Sequence, residues 1–187
     1  HFEFFSDQVL SEAIERNQAQ KVLRVWCAGC SSGEEPYTLM MLIMEKLGGQ
    51  FASWKTVLLA TDISATALKT AMTGKYGADK VTELPPGLRN KYFSKSPDGQ
   101  MSVTDNVRQN ILFRRHNLMD ARFPFKEQFD AIFCRNVMIY FDRETRNTLV
   151  AKYHKHTVTG GYLFIGHSET LGRGETDYTY VMPAVYK

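Results

Sequence analysis

Cysteine is scarce here. Three thiols in 187 residues cannot all pair, and a chain of this size buries enough core to need no disulfide staple, so a reducing cytoplasm is expected. Long apolar runs are also missing. The longest, from Leu39 to Met44, is six residues, against the roughly 20 that a membrane-spanning helix requires. Neither charge sign dominates: 23 Lys and Arg against 20 Asp and Glu leave +3, too balanced for a protein whose main task is to grip a nucleic-acid backbone. Repeats and low-complexity segments are absent, and no G-x-S-x-G elbow marks a hydrolase. The sequence opens at His1 without a basic segment followed by an apolar one, so no secretion signal is expected in it. What remains, with 43% hydrophobic and 23% charged residues, is the composition of one ordinary globular domain.

The hydrophobic spacing then reads as an alternation of strands and helices. Phe2, Phe5, Val9, Ala13 and Ile14 recur at helical spacing, predicting a leading amphipathic helix over residues 1–18. Residues 22–28, VLRVWCA, form an apolar run closed by Gly29, the pattern of a buried parallel strand. Ser31 and Ser32, each followed three residues later by a glutamate, offer overlapping capping boxes for an apolar helix that Gly48 and Gly49 stop. A second strand, residues 56–63, leads to a helix capped by Ser64. The pattern breaks at Leu84–Leu88, and residues 92–116 read as short polar-interrupted strands around Ser96–Gly99, a small antiparallel insert. It resumes with a strand in FDAIFCRNVMIYF, an Asp142-capped helix to about Val158, a break at Gly160–Gly161, and the strand YLFIGH. Residues 178–186 supply an antiparallel edge. The fold class is therefore α/β: a mostly parallel Rossmann-like sheet with an antiparallel edge strand and a small β insert.

Ligands of such sheets sit at the carboxyl ends of the strands, and four loops there carry chemistry. The first, CAGCSSGEEPY, has small residues for close approach but two carboxylates, Glu34 and Glu35, where a pyrophosphate would want none; helix capping explains both acids equally well. Its glycine spacing does not fit the G-x-G-x-x-G dinucleotide fingerprint. Asp62, ending the second strand, is placed to accept hydrogen bonds from a ribose diol, with a helix cap as the bland alternative. His116, Asn117, Leu118 and Asp120 follow a strand and could address a purine or simply turn the chain. Arg135 and Asn136 interrupt an apolar run, which points to ligand contact because burying an unpaired charge is expensive. Cys27 and Cys30 form a C-x-x-C, but Cys134 and five scattered histidines supply no second paired spacing, so packing is the better reading than zinc or redox, and no metal is expected. His167, with Ser168 and Glu169, follows the last parallel strand and could line the cleft, though one His in a loop triplet is weak evidence for a triad. On loop chemistry alone the ligand is nucleotide-like, and a nicotinamide oxidoreductase stays open.

Taken in order, VWCAGCSSGEEPY, LLATDIS, HNL, FDAIFCRNVMIYF and GYLFIGHSE resemble the catalytic domain of the chemotaxis receptor methyltransferase family, CheR. The resemblance implies an S-adenosylmethionine-dependent methyltransferase sheet and transfer of methyl groups to receptor glutamates, with S-adenosylhomocysteine as product. It places Glu35, Asp62, Asn117, Leu118, Arg135 and Asn136 against the cofactor, with Arg135 and Tyr140 at the methyl-transfer end. Residues 1–187 would be the catalytic domain, without the family's N-terminal helical domain and the Asn-x-Thr-x-x-x-Arg stretch that precedes the position of His1. Residues 86–116 would be a β-subdomain docking on the cytoplasmic helical domain of chemoreceptors, its turn shorter than in tether-binding members. A cytoplasmic monomer is expected. The alternative is a non-catalytic scaffold or sensor that holds the cofactor.

Overall fold

A computed structural model of the chain describes residues 1–172 and 174–187. Among the described residues ten strands form two sheets. β1 (Val22–Ala28), β2 (Lys55–Asp62), β6 (Ile111–Arg115), β7 (Phe129–Cys134), β8 (Thr157–Ile165), β9 (Tyr180–Met182) and β10 (Val185–Tyr186) make the large one, ordered β6-β2-β1-β7-β8-β10-β9. Its first five members run parallel, and β10 and β9 add an antiparallel edge. β3 (Lys75–Tyr76), β4 (Phe93–Lys95) and β5 (Met101–Val103) form the small antiparallel sheet, ordered β3-β5-β4.

Both faces of the large sheet are covered, which is why its central strands are apolar on both sides. One face packs on the leading helix, which runs from Phe2–Phe4 through a π-type stretch at Phe5–Val9 to Leu10–Arg16, and on the helix Glu34–Leu47. There the rings of Phe133 and Phe164 stack 4.2 Å apart, with Phe5 edge-on to Phe133. The other face holds Trp26, fully buried among Phe123, Phe125, Phe129 and Tyr153, under the helix Arg143–Lys155. The indole N–H donates to Thr61 Oγ1 at 2.9 Å, so burying it leaves no orphaned donor.

Three local readings need correction. The helix after β1 starts at Glu34 with Gly33 as its N-cap and no side-chain cap: Gly33 sits at φ +95°, a left-handed turn that carries the serines past the helix entrance. Ser32 instead donates to Glu34 Oε2 at 2.5 Å. The Gly160–Gly161 break does not occur; both lie within β8, where the register with β7 shifts between Phe129 and Ala131. A Cβ on Gly161 would come within 2.9 Å of the Asp130 carbonyl, so the glycine permits close strand approach. Finally, residues 111–115, read as part of the β insert, are β6, a parallel neighbour of β2, while Lys75–Tyr76 joins the small sheet from outside the 86–116 span. By contrast, Ser64 and Asp142 cap their helices as expected, accepting from the N–H groups of Ala67 and Thr145.

The leading helix is fastened through one buried acid. Asp130, 4% exposed, accepts from Arg16 Nη2 at 2.6 Å, Asn17 Nδ2 at 2.9 Å and the Arg24 N–H at 2.9 Å. Removing it orphans a strand N–H and a guanidinium together. Asp130→Ala should cost about 3 kcal/mol, seen in thermal denaturation as a fall of about 6–12 °C in Tm; an unchanged Tm would show that the helix does not depend on this acid.

Candidate functional site

The four loops singled out in the sequence lie side by side, because β6, β2, β1 and β7 are consecutive neighbours running in one direction. Asp62 ends β2. Its Oδ2 accepts the Ser31 N–H from the loop after β1, and its Oδ1 accepts the Ser64 N–H, both at 2.9 Å. Its backbone carbonyl takes the His116 N–H at 3.0 Å, joining the loop after β6. Asp62 is thus not the helix cap; that is Ser64.

Glu35 stands in the first turn of the helix after β1 and reaches across to the loop after β7. Its Oε2 accepts from Arg135 Nη1 at 2.7 Å, with both side chains about four-fifths buried, at 18% and 21% exposure. Its Oε1 takes the Cys27 thiol at 3.2 Å. Burial and the neighbouring Glu35 carboxylate push that thiol well above its ordinary range, and burial pushes Cys30 and Cys134 up to about 12. All three cysteines are free, buried and protonated, which fits packing and hydrogen bonding rather than redox chemistry. Among the described residues no three His, Cys, Asp or Glu converge as a metal site. The Arg135 guanidinium lies 5.6 Å from the centre of the Phe2 ring, and its Nε is buried without a partner.

Asn117 closes a tight turn, its Oδ1 accepting the Met119 N–H at 3.0 Å. Leu118 presents its carbonyl to Lys152 Nζ at 2.7 Å, and the same ammonium holds the Asp120 carbonyl at 2.8 Å. Asn136 adopts a left-handed backbone at φ +60°, and its N–H donates to Glu169 Oε2 at 3.2 Å. Tyr140 stands apart from the other six, in the 3₁₀ turn Met138–Tyr140 and 81% exposed. His167 stacks on His1, ring centroids 4.1 Å apart. The sequence placed Glu169 at the cleft without its bridging role, and missed Lys152 and the role of Cys27; nothing in the helical pattern marks Lys152.

The rim fits a nucleoside bearing positive charge. Asp62 and Glu35 stand at its loops, Glu35 paired with the Arg135 guanidinium and Arg115 donating to the Ile63 carbonyl beside Asp62, while Glu169 is buried against the Asn136 N–H. Gly29, at φ +85°, lets the β1 loop lie close against the β7 loop: a Cβ there would lie 2.5 Å from Val137 Cγ2. Beside the rim runs a groove of about 710 Å³ between the leading helix, the helix Glu34–Leu47 and residues 80–93. It reaches Glu35 and Arg135 but not Asp62 or Asn117, so it adjoins the rim rather than coinciding with it.

The fold, a mostly parallel sheet with an antiparallel edge beyond β8, is shared with PKMT2 from Rickettsia typhi at a TM-score of 0.50 and 14% identity, over 86% of this chain and 25% of that one. Residues 1–187 match the S-adenosylmethionine-binding domain of CheR methyltransferases, and the chain belongs to that family. It is 43% identical to a chemotaxis protein methyltransferase of Borreliella burgdorferi, over 100% of this chain and 66% of that protein. With a probable chemotaxis protein methyltransferase of Rhizobium etli it shares 36% identity over 96% of this chain and 67% of that protein. The chain spans about two thirds of the length of these relatives.

Beneath the rim, His116 and His156 both pack against Phe123 and Phe125, and burial holds both imidazoles below their ordinary 6.5. Lys152 and Lys155 push the same way, and Asp120 partly offsets the effect at His116. As pH falls below about 6.5 the unfolded chain takes up these protons before the folded one, so stability is whole above that point and declines below it. The depressed carboxylates Glu12, Glu34, Glu45 and Asp142 act at lower pH, as protonation reaches their folded values. Tm should therefore be flat from pH 8 to 7 and drop from 7 to about 5, and the double variant His116→Gln, His156→Gln should flatten that drop; an equal drop in the variant would place its origin elsewhere.

Proposed function

We propose that this chain transfers methyl groups from S-adenosylmethionine to glutamate side chains of chemoreceptors in the cytoplasm, forming methyl esters. Membership of the CheR family supports the reaction class. The observation that carries the reading is the rim itself: an acid after β2 and a buried Glu35–Arg135 pair at the adjoining loops.

In this reading Asp62 holds the ribose hydroxyls, Asn117 and Leu118 contact the adenosine, Glu35 faces the ammonium of the methionine portion, and Arg135 and Asn136 line the methyl-donor end. S-adenosylmethionine supplies a methyl group made electrophilic by its sulfonium. The receiving glutamate, with an ordinary pKa of about 4.3, is already ionised at neutral pH, so no general base is required. That accounts for a rim without a nucleophile–base dyad. The chain's task is alignment, which can be worth roughly 7–11 kcal/mol. Arg135, held by Glu35 through Nη1, orients the incoming carboxylate. Tyr140, exposed to solvent, stands near the transferred methyl. Residues 1–187 act as one catalytic domain, a monomer, and the small antiparallel sheet docks on the receptor's helical cytoplasmic region.

Two measurements test this. Incubating the chain with methyl-labelled cofactor and receptor-bearing membranes should give label released as volatile methanol by alkali; base-stable label would indicate N-methylation and overturn the ester. Asp62→Ala should weaken S-adenosylhomocysteine binding about tenfold or more in a calorimetric titration, because the hydroxyls lose a charged acceptor. Undiminished affinity would remove Asp62 from the ribose site.

A further inference from the structure

Glu169 is a buried acid to which neither helix capping nor the cofactor contacts assign a task. It lies in the loop after β8, 7% exposed. Its Oε2 accepts two backbone N–H groups: that of Gly166, in its own loop, at 2.5 Å, and that of Asn136, in the loop after β7, at 3.2 Å. Its Oε1 is enclosed without a partner. The packing around this bridge is closed. A Cβ on Gly166 would lie 2.5 Å from Asn136 Oδ1, 2.8 Å from Glu169 Oε2 and 2.9 Å from the Asn136 nitrogen.

Asn136 needs such a holder. At φ +60° it occupies the left-handed region, which asparagine tolerates better than most side chains but still at a cost that surrounding contacts offset. The carboxylate on its N–H is such a contact, and Gly166 is the absence of a side chain that lets it form. The same peptide unit carries the carbonyl of Arg135, so the orientation of Asn136 also sets how the chain leaves Arg135 and where that guanidinium meets Glu35.

We propose that Glu169 is a positioning residue for cofactor binding: by bridging the loops after β7 and β8 it holds Asn136 in its left-handed conformation and so presents Arg135 and Asn136 to the donor end of the rim. It touches neither cofactor nor substrate. The inference rests on the reading that this rim takes S-adenosylmethionine.

The experiment measures S-adenosylhomocysteine affinity by calorimetry for the unmodified chain and for Glu169→Gln, Glu169→Asp and Glu169→Ala, with circular dichroism to verify folding. One oxygen serves both amides, so the Gln variant keeps the bridge and should stay within about threefold of the unmodified chain, whereas Asp is one methylene too short and Ala has no acceptor; both should bind about tenfold or more weakly. Should the Ala variant not fold, Asp, which retains the charge, carries the comparison. The Asn136→Ala background adds a readout that general loosening would not give: if Glu169 acts through Asn136, Glu169→Asp should cost little further affinity there. Equal affinity in all folded variants, or Asp and Asn136→Ala effects that simply add, would overturn the positioning role. No binding by the folded unmodified chain would instead overturn the cofactor reading, and this inference with it.

Discussion

Three carboxylates at the carboxyl edge of the large sheet each span two neighbouring loops, and the rest of the site depends on this stitching. Asp62 ties the loop after β2 to that after β1 through the Ser31 N–H. Glu35 ties the helix after β1 to the loop after β7 through Arg135. Glu169 ties the loop after β7 to that after β8 through the Asn136 N–H. The bridges follow the strand order β2-β1-β7-β8, so loops distant in sequence share one framework. Hydrogen bonds to charged groups are worth about 1.5–3 kcal/mol each, enough to keep a loop such as Asn136's in a backbone conformation it would otherwise leave.

The same acids set the character of the surface they hold. Asp62 and Glu35 put carboxylates at the rim, which suits the sulfonium and ammonium of S-adenosylmethionine. A pyrophosphate would meet the opposite, which separates this edge from dinucleotide sites built on glycine loops alone. Lys152 works from the opposite side of the sheet, its ammonium holding the carbonyls of Leu118 and Asp120 while lying 4.7 Å from the centre of the Phe123 ring. Burial lowers its pKa somewhat, but two carbonyl acceptors and an aromatic face compensate for lost water.

How much of this was legible in the sequence depended on whether the cause was local. Strand runs such as VLRVWCA and FDAIFC read correctly because a strand buried on both faces must be continuously apolar, and Ser64 and Asp142 read correctly because a cap needs only its own helix. The capping boxes at Ser31 and Ser32 failed because Gly33 bends the chain first, a constraint set by Ala71 and Tyr76 from elsewhere in the fold. β6 reads as part of the small insert because an edge strand with Arg114 and Arg115 lacks the apolar signature of its parallel neighbours. In the site, residue types at strand ends marked Asp62, Glu35 and Arg135, but the partners joining them, the Ser31 and Asn136 amides and the Cys27 thiol, are backbone or packing groups that carry no pattern. Gly160 and Gly161 misled for a related reason, since glycine signals a break and a close strand approach alike.

An amide NMR titration of the chain with S-adenosylhomocysteine locates the ligand most directly. Perturbed resonances are predicted at residues 29–35, 62–64, 116–118 and 135–137, the loops at the carboxyl ends of β1, β2, β6 and β7. Shifts concentrated instead in the adjoining groove at Met41, Leu42 and Leu84–Leu88, or no shifts in a folded chain at saturating ligand, would contradict it.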